Sequence, residues 1–226
     1  DALKLNTTAS NNTAVGYVAL AVNTTGTNLV AVGANALDSN TTGNGNVAIG
    51  KEALQTNTTA SHNIAIGQGA MFFNTSGTRN TAVGANGTLT SNTSGNDNVA
   101  VGYVALAANT TGSNNTAVGK AALDANTTGS TNTCIGVTAL GANTTGANNV
   151  AVGGSSLGSN TTADDNTAVG TSALFQNLTG ANNTAIGRTA LFANTTGHSN
   201  VAVGAFALDA STTANNNTAV GMEALG

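Results

Sequence analysis

Read by polarity alone, the chain is one short pattern written over and over. In Asn46-Val47-Ala48-Ile49-Gly50 a polar residue leads into a β-branched, a small and a second β-branched residue, and a glycine closes the run. An Ala-Leu pair follows, Ala53-Leu54, and then a polar stretch, Asn57-Thr58-Thr59. The run returns as Asn12 to Gly16, Asn115 to Gly119 and Asn217 to Gly221. Its glycine stands at 16, 33, 50, 67, 84, 102, 119, 136, 153, 170, 187, 204 and 221, a step of 17 with a single step of 18 after Gly84. A fixed period of this kind decides the architecture before any local propensity does.

Seventeen residues are too few for a helical-hairpin repeat of ~33 and short for a leucine-rich repeat of 20–29. Apolar residues never recur at i, i+3, i+4 and i+7 for long enough to build an amphipathic helix. Asn-Thr-Ala-Val-Gly predicts a short strand rich in β-branched residues and ended by glycine. Ala-Leu-x-x predicts a second short strand or extended segment, and Asn-Thr-Thr-Gly a turn. One coil of an all-β, parallel β-solenoid follows. The prediction is a single array over residues 1–226, about thirteen coils, which at ~4.8 Å per coil would run roughly 60 Å. Both termini fall at the same phase of the repeat, Asp1-Ala2-Leu3 and Glu223-Ala224-Leu225. They read as cut faces of a longer array, with neighbouring domains or head-to-tail stacking beyond them.

Stacked coils turn each repeat position into a ladder. Val15, Val32, Ile49 and Ile66 are the expected core row, with Leu20, Leu37, Leu54 and Met71 opposite. Asn12, Asn46, Asn63 and Asn80 form one candidate amide ladder, and Asn23, Asn40, Asn57 and Asn74 another, because stacked asparagines can bond from coil to coil. Leu29 interrupts the first ladder and Ser211 the second. The additional residue lies in Asn86-Gly87-Thr88-Leu89 and reads as a bulge or loosened turn.

Alternation along a strand sends the Ala column to the side opposite the Val/Ile row. That column is Ala14, Ala31, Ala48, Ala65, Ala82, Ala100, Ala117, Ala151, Ala168, Ala185, Ala202 and Ala219, with Cys134 in the remaining coil. Small and apolar throughout, it is the candidate surface for packing against other copies of the chain.

Composition narrows the chemistry. Charged residues make up 6% and aromatics 3% of the sequence, with no Pro or Trp and a net charge of −4; an ordinary domain carries about a quarter charged residues. No basic footprint for nucleic acid or anionic lipid is present, and no apolar run approaches the ~18 residues of a membrane span. His62 and His198 fall at different phases of the repeat. Asp97, Asp164, Asp165 and Glu52 sit in turn or variable columns without a recurring partner. No catalytic, cofactor or metal site is predicted. Cys134 reads as a small buried residue. Asn-Thr-Thr is formally a glycosylation sequon, but glycans at ~4.8 Å would crowd, so the ladder is the preferred reading. Adjacent threonines such as Thr24-Thr25 diverge if extended, unlike the Thr-x-Thr of an ice-binding face. Phe175 and Phe192 share a column near Phe206 and are expected to stack.

The stretch Asn46-Val47-Ala48-Ile49-Gly50-Lys51-Glu52-Ala53 resembles the head repeats of trimeric autotransporter adhesins, the haemagglutinin-like type, and is similar to runs in phage tail-fibre-like proteins. The match recurs along the whole chain. The resemblance implies a left-handed parallel β-roll, three chains side by side, display at a cell surface and adhesion to host or environmental surfaces. The resulting expectation is a non-catalytic extracellular fibre segment, homotrimeric, without cofactors. Variable columns at Tyr17, Lys51, Tyr103, Lys120 and Arg188 would decorate it. A self-assembling filament without a receptor and an ice-binding solenoid are the alternatives.

Overall fold

The computed structural model describes residues 1–226. The chain divides into two compact units, Asp1–Ser113 and Asn114–Gly226. Both are parallel β-solenoids with one three-residue strand per coil. The first unit holds β1 (Thr13–Val15), β2 (Val30–Val32), β3 (Val47–Ile49), β4 (Ile64–Ile66), β5 (Thr81–Val83) and β6 (Val99–Val101). The second holds β7 (Thr116–Val118), β8 (Thr133–Ile135), β9 (Val150–Val152), β10 (Thr167–Val169), β11 (Thr184–Ile186), β12 (Val201–Val203) and β13 (Thr218–Val220). Within each unit successive strands pair in parallel and in register, Ala31 beside Ala48 and Ala185 beside Ala202. The 18-residue step leaves the pairing intact, since Ala82 still faces Ala100. Its additional residue is taken up in the turn after Gly84, where Asn86 and Gly87 both adopt positive φ.

The second expected strand is absent. Ala-Leu lies in a turn, with Leu37 at φ 50° and Leu54 at φ 51°. A strand would send neighbouring side chains to opposite faces, whereas here Ala53 and Leu54 are both fully buried. The left-handed backbone that permits this costs about 1–2 kcal/mol for a residue with a Cβ. Burying a leucine contributes about 2–3 kcal/mol, so the conformation is sustained by what it encloses. The Leu54 N–H also donates to the Ala70 carbonyl of the next coil at 3.1 Å.

The strands face the other way from the expectation. Ala31, Ala48, Ala65, Ala82, Ala100, Ala117, Ala151, Ala168, Ala185 and Ala202 are fully buried inside their own coil, Ala219 is buried and Ala14 half-buried. The Val/Ile row points outward. A strand has two faces and the alternation alone does not say which is inside. The cross-section decides it. Each coil already encloses a leucine and two asparagines, and only a methyl group fits between the sheet and the Leu row. The alanines are therefore core, not a surface between chains. Cys134 takes the same place and is likewise buried, and desolvation pushes its thiol pKa well up.

The two asparagine ladders are present and buried. Asn57 Nδ2 donates to Asn40 Oδ1 at 2.9 Å and to the Ala60 carbonyl at 3.0 Å, while its own Oδ1 accepts from Asn74 at 3.0 Å. In the second ladder Asn63 Oδ1 accepts the Asn80 backbone N–H at 3.0 Å, and Asn63 Nδ2 donates to the Gly77 carbonyl at 2.8 Å. A buried amide left unpaired costs about 1–3 kcal/mol, so the repetition of asparagine is what makes a polar core affordable. Both sequence faults register in the structure. Leu29 still donates its N–H to Asn12 Oδ1 at 3.0 Å but offers no amide to Asn46. At Ser211 the other ladder stops, and Asn194 Oδ1 and Ser211 Oγ stay buried without a partner.

Gly50 marks the corner after each strand. It adopts φ +133°, and a Cβ placed on it would stand 2.6 Å from the carbonyl carbon and oxygen of Gly67. Backbone meets backbone there, so the corner accepts no side chain.

Candidate functional site

With alanine inside, the first and third residues of every strand face out. The third is Val or Ile in all thirteen strands; the first is Thr, Val or Ile. Ile49 is 38% exposed, Ile66 37% and Ile135 44%. These are half-covered only by their own neighbours in the ladder. Residues two apart on a strand stand ~6.6 Å apart and coils ~4.8 Å, so the two rows span roughly 200 Å² of near-planar surface on each unit. A flat, contiguous strip of exposed β-branched side chains is a candidate interaction site, unlike apolar residues scattered singly.

The two units carry this face differently. In the first, β2, β3 and β4 supply six aliphatic residues in three consecutive rungs: Val30, Val32, Val47, Ile49, Ile64 and Ile66. In the second, the first row is mostly threonine, at Thr116, Thr133, Thr167, Thr184 and Thr218, with Val150 and Val201 between. The column just past the corner glycine is exposed beside the face, and holds Tyr17, Lys51, Tyr103, Lys120, Val137, Arg188 and Met222.

Elsewhere charged side chains are sparse, at 6% of the sequence, and two ion pairs form. Arg79 Nε and Nη2 grip Asp97 at 2.6 and 2.8 Å, and Lys51 meets Glu52 at 3.2 Å. The hydrogen bond and charge of Arg79 hold the Asp97 carboxyl below its usual pKa. Phe175 and Phe192 stack as expected, centroids 5.6 Å apart with planes at 12°. Arg188 lies 4.5 Å over the Phe206 ring. His62 and His198 are exposed, in different units. No three His, Cys, Asp or Glu side chains gather around a common point, and neither unit opens a cavity. No helix of the chain is long and apolar enough to cross a membrane.

The turn threonines divide their work. Thr41 Oγ1 donates to the Thr58 carbonyl at 3.1 Å and Thr93 Oγ1 to Thr110 at 3.0 Å, so that column is tied into the coil. The next column, Thr42, Thr59, Thr111, Thr145, is exposed. The Asn of Asn-Thr-Thr is buried and both its amide hydrogens are taken, as at Asn57, which excludes a glycan at that column in the folded chain.

The outer β-branched face is the feature that sequence reasoning placed on the wrong side. The signal for it was in the sequence: the ladder asparagine at 46 and the alanine at 48 are two apart, so whatever buries one buries the other. No protein-family model matches the chain. No characterised protein and no solved structure matches it either.

Proposed function

We propose that the chain is a non-catalytic, extracellular fibre segment of adhesin-like type, whose copies pack side by side through the outward Val/Ile rows. The observation that carries this reading is the outer strand face, β-branched at both outward positions in every coil and covered only in part, by its own neighbours in the ladder. An exposed flat face of this kind is a liability for a lone chain. Copies of the same chain are its natural cover: the face is nearly uncharged and its rungs repeat at one spacing, so two copies match at every rung. Three copies around a common axis, as in the resembling adhesin heads, would cover each face with two neighbours. Packed copies repeat their decorating columns many times, and weak contacts to a surface then add by avidity.

The mass in solution tests the packing. The account expects a discrete oligomer for the wild-type chain and a monomer for the Ile49→Lys, Ile66→Lys double variant. Both side chains point outward, so unchanged circular dichroism is expected. A monomeric wild-type chain across a dilution series would overturn the proposal. Long filaments in electron micrographs would favour the receptor-free filament instead, and thermal hysteresis would favour ice binding through the same flat face.

A further inference from the structure

We infer that Asn114, Asn182 and Asn216 of the second unit are acceptors for N-linked glycosylation, and that the ladder sequons are not. The chain offers many Asn-x-Thr or Asn-x-Ser triplets, and the fold sorts them by what each atom is already doing.

An acceptor triplet is read at two points, the amide at position i and the hydroxyl at i+2. In Asn40-Thr41-Thr42 and its equivalents the amide is fully buried and donates twice, to Asn23 Oδ1 and to the Gly43 carbonyl, both at 3.1 Å. In Asn86-Gly87-Thr88 the amide is exposed, but Thr88 is buried and its hydroxyl donates to the Gly102 carbonyl at 2.7 Å. Each of these lacks one of the two points.

Asn114-Asn115-Thr116, Asn182-Asn183-Thr184 and Asn216-Asn217-Thr218 have both. The first Asn is exposed in a left-handed turn, at φ 60°, 59° and 60°, and no side-chain hydrogen bond engages it. The middle Asn is the ladder residue and points inward. Alternation then returns the Thr to the outside, as the first residue of β7, β11 and β13. Amide and hydroxyl therefore lie on one side, that of the outward strand face, which is accessible in a chain not packed against its copies. Asn11-Asn12-Thr13 repeats the geometry in the first unit, but there Asn11 Nδ2 is tied to Asn28 Oδ1 at 3.2 Å. Crowding does not forbid occupancy. Asn182 and Asn216 stand two coils apart, ~10 Å, and Asn114 and Asn182 four coils, ~19 Å, against ~4.8 Å in the ladder.

The chemistry needs a polyprenyl-diphosphate-linked oligosaccharide as donor. The Asn Nδ2 forms a bond to the anomeric carbon, the bond from that carbon to the diphosphate oxygen breaks, polyprenyl diphosphate leaves with the bonding electron pair, and the proton lost from Nδ2 passes to that leaving group or to water. The inference rests on surface display only for the encounter with donor and transferase; the sorting of sites rests on the fold.

The test incubates the folded chain carrying Ile49→Lys and Ile66→Lys, which leaves the outer strand face uncovered, with an oligosaccharyltransferase and its lipid-linked donor, then maps occupied sites by peptide mass spectrometry. A synthetic peptide spanning 112–120 serves as the acceptor control. Glycan at Asn114, Asn182 and Asn216 is expected, with none at Asn86, Asn126, Asn143 or Asn177. Thr116→Val, Thr184→Val and Thr218→Val place at each site a residue that other coils already carry there, and each should abolish its own site alone. A folded chain left unmodified while the peptide is accepted would overturn the inference, as would glycan on a ladder asparagine or persistence at a site whose threonine is gone. The unmodified chain's mass in solution is read separately, so failure here leaves the packing proposal standing or falling on its own result.

Discussion

At the scale of single residues, the fold depends on buried amides finding one another. Asn40, Asn57 and Asn74 each spend two donors and one acceptor on their neighbours, and the ladder fails only where the residue changes. Ser211 is the informative case, because its hydroxyl is too short to reach Asn194 Oδ1 and both atoms remain buried and unpaired. Ser211→Asn should restore the rung and stabilise the chain by about 1 kcal/mol, the net worth of a typical hydrogen bond. A rise in the denaturant midpoint at unchanged slope would register it; no rise would mean that the ladder contributes less than its geometry implies. The strained positions tell the same story from the backbone. Val104 sits at φ 50° where Asn35 and Asn86 occupy the equivalent place; a β-branched residue is the least suited to that region.

At the scale of the element, a three-residue strand has almost no pattern of its own. Its β character was legible from Val, Ile and Thr, and its length from the closing glycine. Which face it buries does not follow from the strand itself, because Val-Ala-Val alternates equally well either way; the signal lies outside it, in the ladder asparagine two residues before the alanine. The interior volume settles the matter, and volume is a property of the whole coil: Leu54, Asn57 and Asn63 leave room for Ala65 and not for Ile66. Opposite outcomes are expected for matched substitutions on β4. Ala65→Val overfills the interior and should cost about 1–3 kcal/mol, while Ile66→Val on the outer row should be close to neutral in the isolated chain. Equal effects in thermal or chemical unfolding would contradict the assigned faces. The Ala-Leu turn escaped sequence reading for a related reason. A leucine in the left-handed region runs against its local preference, and only the gain from enclosing two successive side chains makes it favourable.

At the scale of the molecule, what the sequence made plain was the period. A repeat of seventeen, short strands and stacked asparagines were enough to give a parallel β-solenoid and both ladders with their two faults. What a surface touches is not written in that way, since an apolar row reads the same whether a coil or another chain covers it. The buried polar network also shapes the response to pH. Its members are amides, with Thr88 and Ser156, and none of them titrates in the ordinary range. Two carboxylates act in the acid range, with opposite signs. Asp97, held low by Arg79, adds a stabilisation present above its unfolded pKa and lost as pH falls through its folded pKa. Asp124, raised by desolvation, contributes below its unfolded pKa and loses that contribution as pH rises through its folded value. Stability should therefore be flat from about pH 6 to 8, with a small salt-sensitive change in acid and a loss in alkali above about pH 8.5, where the unfolded chain ionises the Cys134 thiol and the folded chain keeps it protonated. A steep loss between about pH 6 and 8 would require a buried group that titrates there, and the one buried thiol, Cys134, acts only in alkali.

The packing of copies through the outer strand face is tested most directly by thiol alkylation of Ile66→Cys as a function of protein concentration. The native Cys134 is the internal control, buried and with its thiol pKa pushed up, so it should stay unreactive in the folded chain. The introduced thiol should react readily when the chain is dilute and become protected as the chain is concentrated, in step with the rise in solution mass. A thiol at 66 that reacts equally at every concentration would contradict side-by-side packing through this face. One protected at every dilution, in a chain whose mass is that of a monomer, would contradict the outward orientation itself.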